Sequence, residues 1–178
     1  MTPGTRDLVG RGAELALGHD AVAQATAGMR HVVYVGGPGS GKTAILDALA
    51  EAAQAHDALV LRAGGAPAEA EIPFAGLSQL LRPALADAVD LPSEHQRVLD
   101  RVLRLGEPVR QADALIAMAV LALLELLSRD QTLVLVLDDL QWLDRASLDV
   151  LAFAGRRATG LRLAVLAATR ELRVVLVP

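Results

Sequence analysis

The sequence predicts an α/β fold in which a mainly parallel sheet lies between two layers of helices. Short apolar segments alternate with segments of helical periodicity along most of the chain. The segment 132–137 is apolar on both faces, as is typical of a central strand covered by helices on each side. The first apolar segment runs through a glycine-rich loop into a helical segment. Together these observations indicate parallel strands joined by right-handed helical crossovers.

Length and composition restrict the classes of protein that need to be considered. The chain has 178 residues, which is enough for one ordinary domain. It has no cysteine, which excludes disulfides, iron–sulfur clusters and thiol nucleophiles. Its net charge of −4 lacks the positive excess of a dedicated nucleic-acid binder. Of its 17 basic residues, Lys42 alone is a lysine.

The apolar composition does not predict a membrane span. Hydrophobic residues make up 53% of the chain and the mean hydropathy is +0.39. The longest uncharged apolar run, 114–124, is far shorter than the roughly 18 to 20 residues that cross a bilayer. Arg6, Asp7 and Arg11 interrupt the N-terminal segment, where a signal peptide would be apolar. We therefore expect a cytoplasmic protein.

The first third of the chain predicts a strand, a loop, a helix and a second strand. Residues 31–35 (HVVYV) form a β-branched apolar run that stops at two glycines, as a buried strand entering a turn does. Residues 43–55 have apolar side chains at helical spacing. Residues 58–61 predict the second strand, and 66–73 have the Pro, Ala and Glu content of a surface loop.

The middle of the chain predicts three helices, over residues 74–88, 92–105 and 109–128. The third has the clearest periodicity, with apolar residues recurring every three or four positions from Ala112 to Leu127. Its apolar face is explained most simply by packing against the sheet. A helix that binds a partner is the alternative.

The last third predicts a central strand, a helix and a further strand. Residues 132–137 (TLVLVL) form the strand that ends at Asp138 and Asp139. Asp144 is placed to cap a helix that runs to about residue 157. Residues 163–168 predict another buried strand, and 173–177 a short final one.

The loop from Gly36 to Thr43 (GGPGSGKT) fits the phosphate-binding pattern G-x-x-x-x-G-K-[ST]. It follows a predicted strand and precedes a predicted helix, which is the context that the pattern requires. Its glycines let successive N–H groups point inward at an anion, and the helix adds the positive end of its dipole. Lys42 would reach the outer phosphates, and Thr43 would offer its hydroxyl to Mg²⁺. A glycine-rich turn that merely contains a lysine is the alternative.

Acidic and basic residues follow two of the predicted strands. Asp138 is placed to support Mg²⁺, and Asp139 is the candidate for polarising an attacking water. Arg170 ends the next strand, where it could sense a terminal phosphate. The alternatives are an ordinary turn for the two aspartates and a surface ion pair for the arginine. The four histidines are far apart in sequence and predict no zinc site.

Several motifs together resemble a known family. They are LVGR (8–11), the GGPGSGKT loop, IPFAGL (72–77), DDLQWLD (138–144) and ATR (168–170). In this combination the chain resembles the ATPase domain of large ATP-binding LuxR-type transcriptional regulators, which are signal-transduction ATPases related to AAA+ proteins. The resemblance implies a P-loop NTPase three-layer sandwich of the AAA+ type, cut short before the lid domain.

The resemblance also implies roles for individual residues. It places Val9, Gly10 and Arg11 near adenine, and Asp138 with Thr43 at the metal. Lys42, Asp139 and Arg170 are the predicted catalytic residues. The phosphates and Mg²⁺ would be held by one continuous segment: Gly36, Gly37, Pro38, Gly39, Ser40, Gly41, Lys42, Thr43 and Ala44. Many active AAA+ proteins have glutamate where this chain has Asp139, so slow hydrolysis of ATP is expected.

The organisation predicted is a single ATPase domain, 1–178. It divides into an N-terminal adenine-proximal segment and helix (1–30), a strand, phosphate loop, helix and strand (31–63), a helical insertion (64–130), and the acidic and sensor strands (131–178). The expected ligands are ATP or ADP and Mg²⁺, and the expected function is a nucleotide switch within a regulator.

Other functions and partners remain open at this stage. One alternative is an interaction module with little or no hydrolysis, and another is a P-loop small-molecule kinase. Self-association, or contact with other domains of a regulator, is possible. No membrane contact and no direct nucleic-acid binding are expected of this segment.

Overall fold

The computed structural model describes residues 10–104 and 114–171, which form an α/β fold around a four-stranded parallel sheet. The strands are β1 (Arg30–Val35), β2 (Leu59–Gly64), β3 (Leu133–Asp138) and β4 (Leu163–Thr169). The helices are α1 (Gly12–Gln24), α2 (Lys42–Ala55), α3 (Ala75–Leu81), α4 (Ser93–Leu99), α5 (Ala114–Leu127) and α6 (Arg145–Gly155). The predicted fold class is therefore confirmed.

The strand order, β1-β4-β3-β2, decides which residues meet at the carboxyl edge of the sheet. Val35 at the end of β1 pairs with Thr169 at the end of β4. At the other side, Gly64 at the end of β2 pairs with Asp138 at the end of β3. Because all four strands are parallel, the segments that follow them leave from one edge, where open α/β sheets bind ligands.

Two apolar layers cover the sheet, one on each face. Leu133, Leu135 and Leu137 of β3 pack in the larger cluster, which includes the apolar side chains of α3 to α6. Val134 and Val136 of the same strand pack in the smaller cluster, with residues of α1 and α2. All five side chains are buried, so β3 contributes about equally to both layers. This arrangement agrees with the absence of a polar face in the predicted strand.

The first helix predicted in the middle of the chain, 74–88, is wrong in length. Helix α3 ends at Leu81 and continues as a 3-10 turn, Arg82–Ala84, with another at Asp87–Asp90. Pro83 explains the break, because proline lacks the N–H that a continuing helix needs and its ring clashes with the preceding turn.

The second predicted helix, 92–105, is also interrupted. Helix α4 ends at Leu99 and is followed by a π-helical turn, Asp100–Arg104. The carbonyl oxygen of Leu103 accepts hydrogen bonds from the hydroxyl of Ser78 and the guanidinium of Arg82. These side chains satisfy a carbonyl at the place where the regular helical pattern is lost.

Other elements agree closely with expectation. Strand β2 extends beyond the predicted 58–61 to Gly64, and α5 occupies the described part of the predicted helix 109–128. Residues 109–113 of that helix and the predicted strand 173–177 lie outside the described residues. No helix in the described ranges is long and apolar enough to cross a membrane.

Candidate functional site

The predicted phosphate loop connects β1 to α2 at the carboxyl edge of the sheet. Gly39 and Gly41 adopt positive φ angles of 74° and 83°, which glycine accepts without steric cost. The N–H of Gly36 donates to the carbonyl of Thr169 at 3.1 Å, which fixes the loop against β4. Pro38 is exposed at the loop, and Ala44 lies in the first turn of α2. The loop is thus held at its base and curled by its glycines.

Lys42 lies at the start of α2 and turns back over the loop. Its ammonium donates to the carbonyls of Gly36 and Gly37, at 2.7 and 2.9 Å, and approaches the hydroxyl of Ser40 at 3.2 Å. The positive charge therefore lies among loop backbone atoms. The first N–H groups of α2 point toward the same region, because they have no acceptor within their own helix.

Thr43 and Asp138 meet at the same edge although 95 positions separate them in sequence. The Thr43 hydroxyl donates to Asp138 Oδ2 at 2.6 Å, and the N–H of Asp139 donates to Asp138 Oδ1 at 2.8 Å. Hydroxyl and carboxylate oxygens are the donors that Mg²⁺ prefers. Across residues 10–104 and 114–171 no three His, Asp or Glu side chains group as metal ligands. The residues present fit a Mg²⁺ that takes its other ligands from phosphate and water.

Asp139 and Arg170 are brought together by a glutamine that lies between them. Asp139 Oδ1 accepts from the Gln141 amide at 2.6 Å and lies 3.7 Å from Arg170 Nε. The Gln141 carbonyl oxygen accepts from the Thr169 hydroxyl and the Arg170 N–H, both at 3.1 Å. The ends of β3 and β4 are therefore joined through polar side chains. Both charged residues were predicted to lie at this edge, whereas Gln141 was not among the predicted site residues.

The N-terminal segment reaches the phosphate loop through Arg11. Its guanidinium donates to the carbonyl oxygen of Ser40 and forms an ion pair with Glu14 at 2.8 Å. Gly10 is exposed with a φ of 80°, and Val9 lies outside the described residues. The structure thus places Arg11 beside the loop backbone, while the predicted contact of this segment with adenine stays a prediction.

Two titratable groups behind the loop have shifted pKa values. The Arg11 hydrogen bond is the main cause of the lowered pKa of Glu14. Burial raises the pKa of Tyr34, and the negative charge of Glu14 raises it further. The Tyr34 hydroxyl donates to the carbonyl oxygen of Glu14 at 2.9 Å. Folding therefore favours an ionised Glu14 and a neutral Tyr34.

Gly65 is a structural requirement of the site that sequence reasoning missed. A Cβ added here would lie 2.6 Å from Leu143 N and from Trp142 C, and closer still to the Asp139 carbonyl oxygen. The end of β2 therefore packs directly on the turn that carries Asp139. The sequence signal was the pair Gly64 and Gly65 at the end of the strand, since glycine at a strand end often marks a close backbone approach.

Asp144 has a larger structural role than the predicted helix cap. Its buried carboxylate accepts from the Ser147 N–H at 2.9 Å, as the cap prediction requires. It also accepts from the N–H groups of Phe74 and Gly76, at 2.8 and 3.0 Å, and from the Ser147 hydroxyl. This one side chain joins the starts of α3 and α6.

A separate cleft of about 600 Å³ lies along α3. Ile72, Ser78, Gln79 and Arg82 are among the residues that line it. It contains none of the residues predicted for phosphate, metal or adenine. The candidate site is therefore the open carboxyl edge of the sheet and not this cleft.

Comparisons with known proteins bear on the family and the fold of the chain. The sequence matches the AAA ATPase domain family over residues 7–166. No curated protein sequence matches the chain. Among solved structures, the Aeropyrum pernix ORC2 protein, determined in ADPNP–ADP complexes, is similar with a TM-score of 0.53 at 18% identity. That match covers 97% of this chain and 44% of the ORC2 chain.

Two further structures are similar at lower scores. The Walker-type ATPase PABY2304 of Pyrococcus abyssi has a TM-score of 0.47 at 15% identity, and the match covers 92% of this chain and 45% of the PABY2304 chain. Drosophila ORC bound to GC-rich DNA and Cdc6 has a TM-score of 0.47 at 14% identity, covering 98% and 56%. The chain spans about half the length of these proteins. The family match extends from the N-terminal segment through the phosphate loop to β4, and we conclude that this chain belongs to the AAA ATPase domain family.

Proposed function

We propose that this domain binds ATP with Mg²⁺, hydrolyses it slowly, and acts as a nucleotide switch. The observation that carries the proposal is the contact between Thr43 and Asp138 at 2.6 Å, directly beside the loop that holds Lys42. A cation, a glycine-lined anion cradle and two hard oxygen ligands occur together at one sheet edge. Family membership supports the same activity.

The phosphates of ATP would be bound by the loop and the start of α2. Loop N–H groups and the helix dipole favour negative charge at this position. The Lys42 ammonium would exchange its loop carbonyls for phosphate oxygens, which is a stronger, charge-assisted interaction. Thr43 and Asp138 would hold Mg²⁺, which when bound neutralises charge on the outer phosphates.

Hydrolysis would use Asp139 to orient a water molecule. The water oxygen bonds to the terminal phosphorus while the bond from that phosphorus to the bridging oxygen breaks, and ADP leaves with the electron pair. The proton shed by the water passes through the Asp139 carboxylate to solvent, and inorganic phosphate keeps the hydroxyl. Aspartate is one methylene shorter than the glutamate of many AAA+ proteins, so its carboxylate is held further from the water and the rate is low.

We further propose that the switch belongs to a LuxR-type transcriptional regulator. The DDLQWLD and IPFAGL motifs support this assignment, and Asp144 of the first contacts Phe74 and Gly76 of the second. The two motifs therefore form one structural unit. The test is to measure ADP retained by purified protein, and then to compare its oligomeric state after exchange to ATP. A state that changes with the nucleotide supports a switch, whereas an unchanged state favours the interaction module.

The proposed activity is tested by calorimetry with ATP and Mg²⁺ on wild type and Lys42→Ala. The matched control is Arg145→Ala, because Arg145 is an exposed basic residue whose ion-pair partner, Asp149, lies on its own helix. We expect binding by wild type and the control, and a loss of about ten-fold or more in affinity for Lys42→Ala. Normal binding by Lys42→Ala would contradict the proposal. Phosphorylated small molecules among the products would instead indicate a kinase.

A further inference from the structure

Gln141 satisfies hydrogen-bonding groups on both central strands at the candidate site. Its amide nitrogen donates to Asp139 Oδ1 at 2.6 Å, after β3. Its amide oxygen accepts from the Thr169 hydroxyl and the Arg170 N–H at the end of β4. A glutamine side chain has one donor group and one acceptor group, and here each is directed to a different strand.

The backbone around Asp139 makes this bridge possible. Asp139 has φ 46° and ψ 49°, a left-handed conformation that aspartate tolerates better than most residues. The Trp142 N–H then donates to the Asp139 carbonyl at 2.8 Å, closing a tight turn. Because of this turn, the Gln141 side chain lies beside the Asp139 carboxylate. The strained conformation thus lies at the point where the bridge is formed.

The ion pair between Asp139 and Arg170 is too exposed to define the geometry alone. Their side chains are 39% and 43% exposed, and Arg170 Nε lies 3.7 Å from Asp139 Oδ1. Exposed pairs of this kind contribute about 0 to 1 kcal/mol and permit many arrangements. The shorter Gln141 hydrogen bonds hold the Asp139 carboxylate and the backbone N–H of Arg170, from which the guanidinium extends toward Asp139.

The bridge also extends to the phosphate loop through Thr169. This residue is buried, and its carbonyl accepts from the Gly36 N–H at the base of the loop. Gln141 therefore connects the acidic end of β3 to the strand that fixes the loop. Asp139 and Arg170 would therefore respond together to the presence or loss of the terminal phosphate.

We propose that Gln141 is a positioning residue that makes Asp139 and Arg170 respond together to the third phosphate of the nucleotide. This inference rests on the proposed function, because it requires ATP at the loop. The proposed role of Gln141 affects the binding of ATP and not the binding of ADP. Binding of ADP depends on the loop, Lys42 and Thr43, none of which Gln141 contacts directly. Its indirect link to Gly36 passes through the backbone of Thr169, which the pairing of β1 with β4 also holds in place.

The test compares Gln141→Leu with wild type in their affinities for ADP and for a non-hydrolysable ATP analogue, both with Mg²⁺. The matched control is Gln96→Leu, which removes a glutamine whose amide donates to Val89 and Leu91 carbonyls on the α4 side of the molecule. We expect Gln141→Leu to lower affinity for the analogue about ten-fold and to change ADP affinity by less than about two-fold. Gln96→Leu should alter neither.

A double-mutant cycle separates positioning from general destabilisation. In an Arg170→Ala background, Gln141→Leu should cause little further loss of analogue binding, because the two residues act through one connected group. Gln141→Glu provides a second variant that keeps acceptor oxygens for Thr169 and Arg170 but loses the donor to Asp139. We expect this variant, too, to bind the ATP analogue more weakly than wild type while its affinity for ADP changes little.

The failures of the two proposals are distinguishable. If wild type binds neither nucleotide, the proposed function is overturned and the role of Gln141 falls with it. If wild type binds both, and Gln141→Leu either lowers the two affinities equally or changes neither, only the positioning role is overturned. Additive losses in the double-mutant cycle would overturn it as well.

Discussion

Tyr34 links the N-terminal helix to the strand that enters the phosphate loop. It is 7% exposed, and its hydroxyl donates to the Glu14 carbonyl. Burial, followed by the charge of Glu14, raises the pKa of the phenol. Because folding favours the neutral form, its stabilising contribution is complete below the pKa of an unfolded tyrosine, about 10. That contribution is lost as the pH rises through the folded pKa.

We therefore predict that Tyr34 ionises above the pH at which free tyrosine does. The chain has one tyrosine, so the phenolate absorbance of the folded protein reports this residue alone. The free energy of unfolding should fall with pH in the alkaline range, and less steeply in Tyr34→Phe. A phenol that titrates at or below its ordinary pKa would contradict the assignment of a buried, hydrogen-bonded hydroxyl.

Gly65 offers a sharp test of packing between β2 and the turn after β3. Alanine at this position would place a Cβ against backbone atoms of Asp139, Trp142 and Leu143, which side-chain rotation cannot relieve. We predict that Gly65→Ala displaces the turn, lowers stability by about 1 to 3 kcal/mol and weakens ATP binding. Thermal unfolding and calorimetry measure the two effects.

The neighbouring glycine is the control for this prediction. An added Cβ at Gly64 meets nothing within 4 Å, and Gly64 is the last residue of β2, directly before Gly65. Gly64→Ala should therefore keep wild-type stability and nucleotide binding. Equal behaviour of the two variants would show that the close approach at Gly65 does not constrain the site.

At the scale of elements, Asp144 determines how α3 and α6 are placed together. It is 3% exposed and accepts hydrogen bonds from backbone N–H groups at the starts of both helices. Removing the carboxylate leaves those buried donors without their partner, at a cost of about 1 to 3 kcal/mol for each unsatisfied group. One residue thus stabilises a junction between segments that are 70 positions apart in sequence.

We predict that Asp144→Ala lowers the free energy of unfolding by about 3 kcal/mol or more. Asp149→Ala is the control on the same helix, because Asp149 pairs with exposed Arg145 and its loss costs about 0.5 kcal/mol. Denaturant unfolding of both variants measures the difference. Similar losses for the two would contradict the role of Asp144 as the junction between α3 and α6.

The elements differed in how far the sequence could predict them. The strands were predictable because their apolar runs are local, and those of β1, β2 and β3 are ended by glycine or aspartate. The loop was predictable because its glycines, Lys42 and Thr43 are contiguous. The predicted helix 74–88 failed at Pro83, whose effect on a helix was knowable from sequence. The π-helical turn before residue 105 depends on Ser78 and Arg82 reaching the Leu103 carbonyl, which no local pattern reveals.

The candidate site also contains contacts that the sequence could predict and contacts that it could not. Thr43 and Asp138 could be assigned to one edge because parallel strands bring their carboxyl ends together. The Gln141 bridge depends on a left-handed turn at Asp139 and on contacts with residues 28 and 29 positions away. Its amide donor and acceptor are common to every glutamine. Only the folded arrangement distinguishes this glutamine from the others in the chain.

At the scale of the whole molecule, one parallel sheet brings the predicted site residues to a single edge. Its order places β1 and β3 on either side of β4, so the glycine loop, the two aspartates and Arg170 surround a single edge. The helices on the two faces bury the strands. We propose that this edge binds ATP through Lys42.

The most direct test is protection of Lys42 from an amine-reactive reagent. Lys42 is the only lysine, so the α-amino group serves as the internal reference within the same sample. With Mg²⁺ and ATP at about ten times its dissociation constant, modification of Lys42 should slow roughly ten-fold, while the reference is unchanged. Adenosine, which lacks phosphates, should give no protection. Modification of Lys42 at the same rate with and without saturating ATP would contradict the account.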